Sequence, residues 1–121
     1  MKGILNDQSL IYRQIAQLLE DGILRGEYPE DGQVPSTNEL AKAFNINPAT
    51  AAKGINRLVE EGLLYKRRGI GMFVAQGAPE ALRRKRRQAF AEGQVREARR
   101  LGVDRQELLR MIEEQFDKEE L

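Results

Sequence analysis

A proline at position 48, directly behind Asn45-Ile46-Asn47, interrupts an otherwise helical pattern and forces one helix to stop and another to start. In a helix interior, proline removes a backbone hydrogen bond and clashes with the preceding turn, at a cost of about 3 kcal/mol or more. At the first helical position its missing N–H costs nothing, because that group would have had no partner there. Asn47 is a favoured N-cap for such a start. Asn45 suits the left-handed backbone that ends a helix, and Ile46 is the apolar residue that tucks the turn onto a core. Upstream, Ser36 and Glu39 have the S-x-x-E spacing of a capping box, so the helix that ends at Asn45 begins at Ser36, with Leu40, Ala41 and Phe44 as its apolar face. The sequence therefore calls for two short helices joined by a tight turn.

Periodicity fills in the remaining elements. Ile11, Ile15, Leu18, Leu19 and Gly22 recur at helical spacing over 9–25, and Gly26 can end that helix. Residues 27–35, with two prolines and Gly32, read as a turn leading into a very short strand at Gln33 and Val34. After Pro48, the inner stripe is Ala51, Ile55, Leu58 and Val59, with Ala49, Thr50, Lys53, Asn56 and Arg57 off that stripe. Gly62 closes the helix. Residues 63–67 and 72–75 read as two strands joined by Arg68-Gly69-Ile70-Gly71, a basic, glycine-rich hairpin tip. From Pro79 the pattern is helical again until Gly102. Asp104 and Glu107 have capping-box spacing, and Leu108, Ile112 and Phe116 mark one face of a last helix, whose end, Asp117 to Glu120, reads as solvated and frayed.

The expected fold class is mainly α with a small β-hairpin: an N-terminal winged helix-turn-helix over 1–76 and a C-terminal antiparallel helical hairpin over 77–121. A tail of about forty residues is too small to sustain its own core, so it must pack on something, and a second copy is the expected partner. Phe90, Val95, Leu101, Leu108, Ile112 and Phe116 are the expected dimer interface.

Composition excludes much else. The chain has no cysteine and no histidine, which removes the usual nucleophile, neutral-pH base and soft metal ligands. No metal, cofactor or catalytic residue is expected, and the chain does not read as an enzyme. No apolar run approaches the roughly 20 residues of a spanning helix, and the first ten residues lack the features of a secretory signal, so a cytoplasmic location is expected. The net charge of +1 hides an uneven distribution. Glu20, Asp21, Glu27, Glu30 and Asp31 crowd one stretch, whereas Lys53, Arg57, Lys66, Arg67 and Arg68 crowd another.

In a winged helix-turn-helix the third helix lies in the major groove, and the helix before it crosses the phosphate backbone. Ser36, Thr37 and Asn38 at the start of the second helix are then expected at phosphates, and Asn47, Ala49, Thr50 and Lys53 at base edges or phosphates. Lys66, Arg67 and Arg68 would reach a groove or the backbone from the wing, with Gly69 and Gly71 permitting close approach. Capping alone would also explain Asn47. Arg83-Arg84-Lys85-Arg86-Arg87 reads as a solvated stretch, because five successive helical residues spread over every face. Packing is the expected role of Tyr12 and Arg13.

The chain resembles the GntR family of bacterial regulators through Ile11-Tyr12-Arg13-Gln14-Ile15, Pro35-Ser36, Glu39-Leu40-Ala41, Asn47-Pro48-Ala49-Thr50, Glu61-Gly62-Leu63-Leu64 and Arg67-Arg68-Gly69-Ile70-Gly71-Met72-Phe73-Val74. The Asn-Pro-x-Thr helix start and the short helical tail are similar to the YtrA subfamily. That resemblance implies a sequence-specific transcriptional regulator, a repressor binding double-stranded, palindromic operator DNA as a homodimer. Many relatives carry arginine two residues after the serine of the second helix, where this chain has Asn38, which implies a weaker phosphate contact. An unidentified small-molecule effector would have to use the dimer interface or a cleft beside it, because so short a tail is not expected to enclose a pocket of roughly 300 Å³. The alternative reading is a winged helix that binds another protein without binding DNA, since fold does not fix function. The basic wing argues against it.

Overall fold

The computed structural model describes residues 7–120. The first six residues of the stretch read for a secretory signal lie outside the described residues. In chain order the elements are α1 (Asp7–Leu24), α2 (Thr37–Phe44), α3 (Pro48–Glu60), β1 (Leu64–Arg67), β2 (Gly71–Val74), α4 (Ala78–Arg100) and α5 (Arg105–Glu119). This is the mainly helical fold with a small antiparallel sheet that the sequence implied. Two compact units divide within α4, after Arg84. The division falls later than the expected boundary between residues 76 and 77, because Ala78 and Leu82 on the first turns of α4 are buried in the core of the first unit.

That core is built where α1, α2 and α3 converge on the hairpin, around Ile15, Leu19 and Ile23 of α1, Leu40 of α2, Ile55 and Leu58 of α3, and Leu64 and Val74 of the strands. Leu18, expected on the buried stripe of α1, is exposed, and so is Phe44 of α2. The buried line of α1 runs instead through Ile15, Ala16, Leu19 and Ile23, which at steps of one, three and four residues share a helix face.

The tightest approach is between α1 and α3. A Cβ added to Gly54 would sit 2.8 Å from the Tyr12 carbonyl oxygen and 2.9 Å from Cγ2 of Ile15. Only a residue without a side chain lets the two helices meet this closely.

The helix ends follow the capping chemistry. The Glu39 N–H donates to Ser36 Oγ at 3.0 Å, and the Ser36 N–H donates to Glu39 Oε1 at 2.8 Å, so both halves of the box form. Asn45 stops α2 in the left-handed region at φ 52°. Asn47 Oδ1 accepts from the Ala49 N–H at 2.8 Å, and Pro48 opens α3. At α5 one half of the expected box is formed, with the Glu107 N–H donating to Asp104 Oδ1 at 2.9 Å. The end of α5, expected to fray, is helical to Glu119 and exposed.

The hairpin pairs Leu64 with Val74, Tyr65 with Phe73, Lys66 with Met72 and Arg67 with Gly71. The short strand expected at Gln33 and Val34 forms as a single bridge from Gln33 to Phe73, supported by the Val34 N–H donating to the Met72 carbonyl at 3.0 Å. Asp31, left-handed at φ 62°, fastens this edge. Its carboxylate accepts from the Tyr65 hydroxyl at 2.9 Å and from Gln76 Nε2 at 2.8 Å. Glu30 Oε1 accepts from the Gly77 N–H just before α4. These bonds, the Gln76 amide first and the Tyr65 hydroxyl second, hold the Asp31 carboxyl below its ordinary value of 3.8.

Two outcomes are expected. Gly54→Ala should lower stability by about 1–3 kcal/mol in urea unfolding, because overpacking against a backbone carbonyl outweighs the better helix propensity of alanine. For Asp31→Asn the melting temperature should fall at pH 7, and its gap from the parent should narrow in acid. The folded-state value is lowered, so the carboxylate stabilises above the ordinary aspartate range, and that contribution is lost as pH falls through the lowered value. A gap independent of pH would assign the loss to something other than the charge.

Candidate nucleic-acid interface

The outer face of α3 is set by what its inner face buries. Ala51, Gly54, Ile55 and Leu58 turn inward, which leaves Ala49, Lys53, Asn56, Arg57 and Glu60 exposed on the opposite side. With Tyr12 and Ala52 they line an open groove of about 520 Å³. Lys53 Nζ lies 4.5 Å from the centroid of the Tyr12 ring, and the Arg13 guanidinium carbon lies 5.9 Å from it, both within cation–π range. A hydrogen bond with Arg13, and then the charges of Arg13, Lys53 and Arg57, pull the Tyr12 hydroxyl below its usual value. Arg57 Nε meets Glu61 Oε2 at 3.5 Å, an exposed i,i+4 pair that a stronger anion can replace at little cost.

Thr50 departs from the sequence reading. It is 7% exposed and continues the buried row of Gly54 and Leu58 at i, i+4 and i+8, so it does not lie on the outer row with Lys53. Lys53 and Ala49 are exposed as expected. Asn47 is exposed too, with its side-chain oxygen engaged in the cap. At the start of α2, Ser36 and Thr37 are half-buried and Asn38 is exposed, and the Ser36 hydroxyl is taken up by its box.

Tyr12, Asn56 and Arg57 belong to the groove and were not among the sequence candidates. Spacing could have found Arg57, which follows Ala49 and Lys53 by four-residue steps. Tyr12 joins only through tertiary contact.

On the wing, Lys66, Arg67, Arg68 and Gly69 are exposed and Gly71 is half-buried. The tip turns through Gly69 at φ 78°, closed by the Ile70 N–H donating to the Arg67 carbonyl at 2.9 Å. Such a turn needs glycine at its third position. The Arg67 guanidinium lies 4.9 Å from the Phe73 centroid, and Phe73 stacks on Tyr65 with centroids 5.9 Å apart. The stem of the wing therefore holds one of its three successive cations in place.

In the second unit α4 and α5 are joined through Gly102 at φ 73°, with the Val103 N–H donating to the Ala98 carbonyl at 2.8 Å. Of the six residues expected at a dimer interface, Leu108 is half-buried, while Phe90 (68%), Val95, Leu101, Ile112 and Phe116 (59%) are exposed. Leu109 and Met111 are exposed as well. An open cleft of about 470 Å³ runs between the two helices, lined by Val95, Ala98, Val103, Leu108 and Leu109 with Arg99, Asp104 and Arg105. The cleft is open rather than enclosed, and so is not the kind of pocket the sequence reading weighed. Along Arg83 to Arg87 the residues are exposed apart from half-buried Arg86, and Arg83 pairs with Glu80 at 2.9 Å. Among the described residues no cluster has metal-binding composition, and no helix is long and apolar enough to cross a membrane.

Comparison with known proteins places these features. The family described as bacterial regulatory proteins, gntR family, matches residues 11–74, which run from α1 to the end of the wing. The HTH-type transcriptional repressor NagR of Bacillus subtilis (strain 168) is 40% identical over 74 residues, covering 60% of this chain and 30% of its own length. The chain spans between 17% and 38% of the length of such curated relatives. A crystal structure of a GntR-family regulator from Bacteroides thetaiotaomicron superposes with a TM-score of 0.69 at 33% identity, covering 90% of this chain and 98% of that one. AraR(DBD) in complex with operator ORR3 superposes with a TM-score of 0.51 at 38% identity, over 53% of this chain and 77% of that one. With more than half of its residues inside the family's region, and with the capped helix pair and wing described above, this chain belongs to the GntR family of bacterial regulatory proteins.

Proposed function

We propose that this chain is a cytoplasmic, sequence-specific DNA-binding transcriptional regulator of the YtrA type, a repressor that binds a palindromic operator as a homodimer. The observation that carries the reading is the outward row Ala49, Lys53, Asn56 and Arg57 on a helix that starts at a capped proline. A helix N-terminus offers unpaired N–H groups and a positive dipole to a phosphate, and the cations behind it supply charge. Asn56 can pair with a base edge, while Lys53 and Arg57 can pair with either a base or a phosphate. Lys66, Arg67 and Arg68 on the wing add phosphate contacts, and glycine at 69 and 71 lets the backbone come near. Thr37 and Asn38 remain in the proposed contact surface at the N-terminus of α2, and Ser36 and Asn47 remain in it as the caps that shape the two helix starts. Thr50 supports α3 from beneath.

AraR(DBD), similar over half of this chain, is named with an operator, and NagR is named as a repressor. Those names support the same role here. Dimerisation rests on the apolar surface of the second unit. Phe90, Val95, Leu101, Leu109, Ile112 and Phe116 leave more exposed apolar side chain than so small a pair of helices can carry alone in water. The YtrA assignment rests on the short tail and on Asn47-Pro48-Ala49-Thr50.

Binding to a selected operator should fall by about 10³- to 10⁵-fold between 50 and 200 mM salt, as six to ten neutralised phosphates require. Substituting Lys53 and Arg57 together by alanine should reduce the salt slope by about one per lost phosphate contact, with the melting temperature unchanged. A protein-binding winged helix would give a nearly flat salt dependence and would overturn the reading. In sedimentation, the chain should run at twice its 13.8 kDa mass. Ile112→Asp with Phe116→Asp should return it to one copy; a monomeric parent would remove the dimer from the proposal.

A further inference from the structure

The tip of the wing carries an apolar residue where its neighbours are cations. Ile70 is 61% exposed, beyond Lys66, Arg67 and Arg68 and between two glycines of positive φ. Single exposed apolar side chains are common on protein surfaces. This one is distinguished by how firmly its backbone is held. Its N–H donates to the Arg67 carbonyl at 2.9 Å, and its carbonyl accepts from Gln33 Nε2 at 3.0 Å, across 37 positions of sequence. Gln33 is itself anchored by its bridge to Phe73. Gly71 makes room for it, since a Cβ there would sit 2.6 Å from Gln33 Nε2. A β-branched side chain on a backbone pinned at both of its polar groups has few directions open to it.

Building on the proposed DNA-binding role, we infer that Ile70 is a specificity-determining residue that excludes G·C pairs from the minor groove under the wing tip, with Gln33 as its positioning residue. An isoleucine cannot hydrogen-bond a base edge or a phosphate, so its contribution is shape. The flanking cations serve the phosphates on either side. An A·T pair presents a minor-groove floor with acceptors at its edges and no donor, whereas a G·C pair projects the guanine N2 amino group from the middle of that floor. An apolar tip pressed there would collide with the amino group and strip its water without replacing the lost hydrogen bond.

The test uses the full chain and an operator selected from random duplex DNA. Each A·T pair flanking the half-sites is replaced in turn by G·C and then by inosine·C, which keeps the major-groove face of G·C but lacks the N2 amino group. At the pair beneath the tip, G·C should weaken binding about fivefold or more, the usual cost of one unfavourable pair. Inosine·C should restore affinity to within about twofold. Ile70→Ser should abolish the difference between the pairs. Gln33→Met, which keeps the length but loses the donor, should also abolish it, and should have no further effect in the Ile70→Ser background. The inference is overturned if inosine·C is as poor as G·C, if no flanking pair discriminates, or if Ile70→Ser leaves the preference intact. Should Gln33→Met weaken every sequence equally in both backgrounds, Gln33 is a general support and not a positioning residue. If the parent chain binds no duplex at all, the functional reading falls, an outcome distinct from each of these.

Discussion

The contact between α1 and α3 at Gly54 determines how α3 is presented. With 2.8 Å between a virtual Cβ and the Tyr12 carbonyl, no side chain fits, and the helices lie closer than paired leucines would permit. That proximity fixes the rotation of α3 about its axis. With that rotation Thr50, Gly54 and Leu58 lie buried in one row and Lys53, Asn56 and Arg57 turn out together. The proximity also delivers Tyr12 to the edge of the same groove, 4.5 Å from the Lys53 ammonium. A cation resting on an aromatic face is partly ordered before any ligand arrives, which reduces the entropy lost when it is recruited.

The wing depends on a second set of contacts, made by the loop between α1 and α2. Asp31 takes hydrogen bonds from Tyr65 on one strand and from Gln76 just past the other, Glu30 takes one from Gly77, and Gln33 reaches the tip at Ile70. A two-stranded hairpin alone is marginal in water. Here the acidic stretch that made the charge distribution look lopsided braces the basic one. The Glu30 and Asp31 carboxylates are hydrogen-bond acceptors at the base of the wing, while Lys66 and Arg68 stand exposed toward its other end and Arg67 packs on Phe73. The acidic and basic stretches are therefore parts of one device rather than two unrelated surfaces.

The second unit obeys a different logic. In α4 charged side chains are spread along most of the helix, while α4 and α5 expose several large apolar residues, of which Val95 and Leu109 line the cleft between them. Such a surface is costly in water for a single copy, and membership of a family of bacterial regulatory proteins gives no direct account of it, since the family's region ends at residue 74. The dimer therefore enters as a proposal from surface chemistry rather than from likeness.

Local chemistry made most of the fold legible. Capping at Ser36 and Asn47, the proline at 48, the left-handed Asn45 and the glycines at 62, 69 and 102 act over a few residues, so their consequences can be read along the chain. The wing cations and Lys53 were legible for the same reason, since they sit at positions where local structure leaves nowhere to hide. Tertiary structure alone decided what depended on a neighbour distant in sequence. Thr50 went inside, Leu18 and Phe44 came out, Tyr12 joined the groove across the α1–α3 contact, and the first turns of α4 were drawn into the core by Ala78 and Leu82. A cap or a turn is satisfied by atoms within the same few residues, whereas burial is settled by whichever surface arrives opposite.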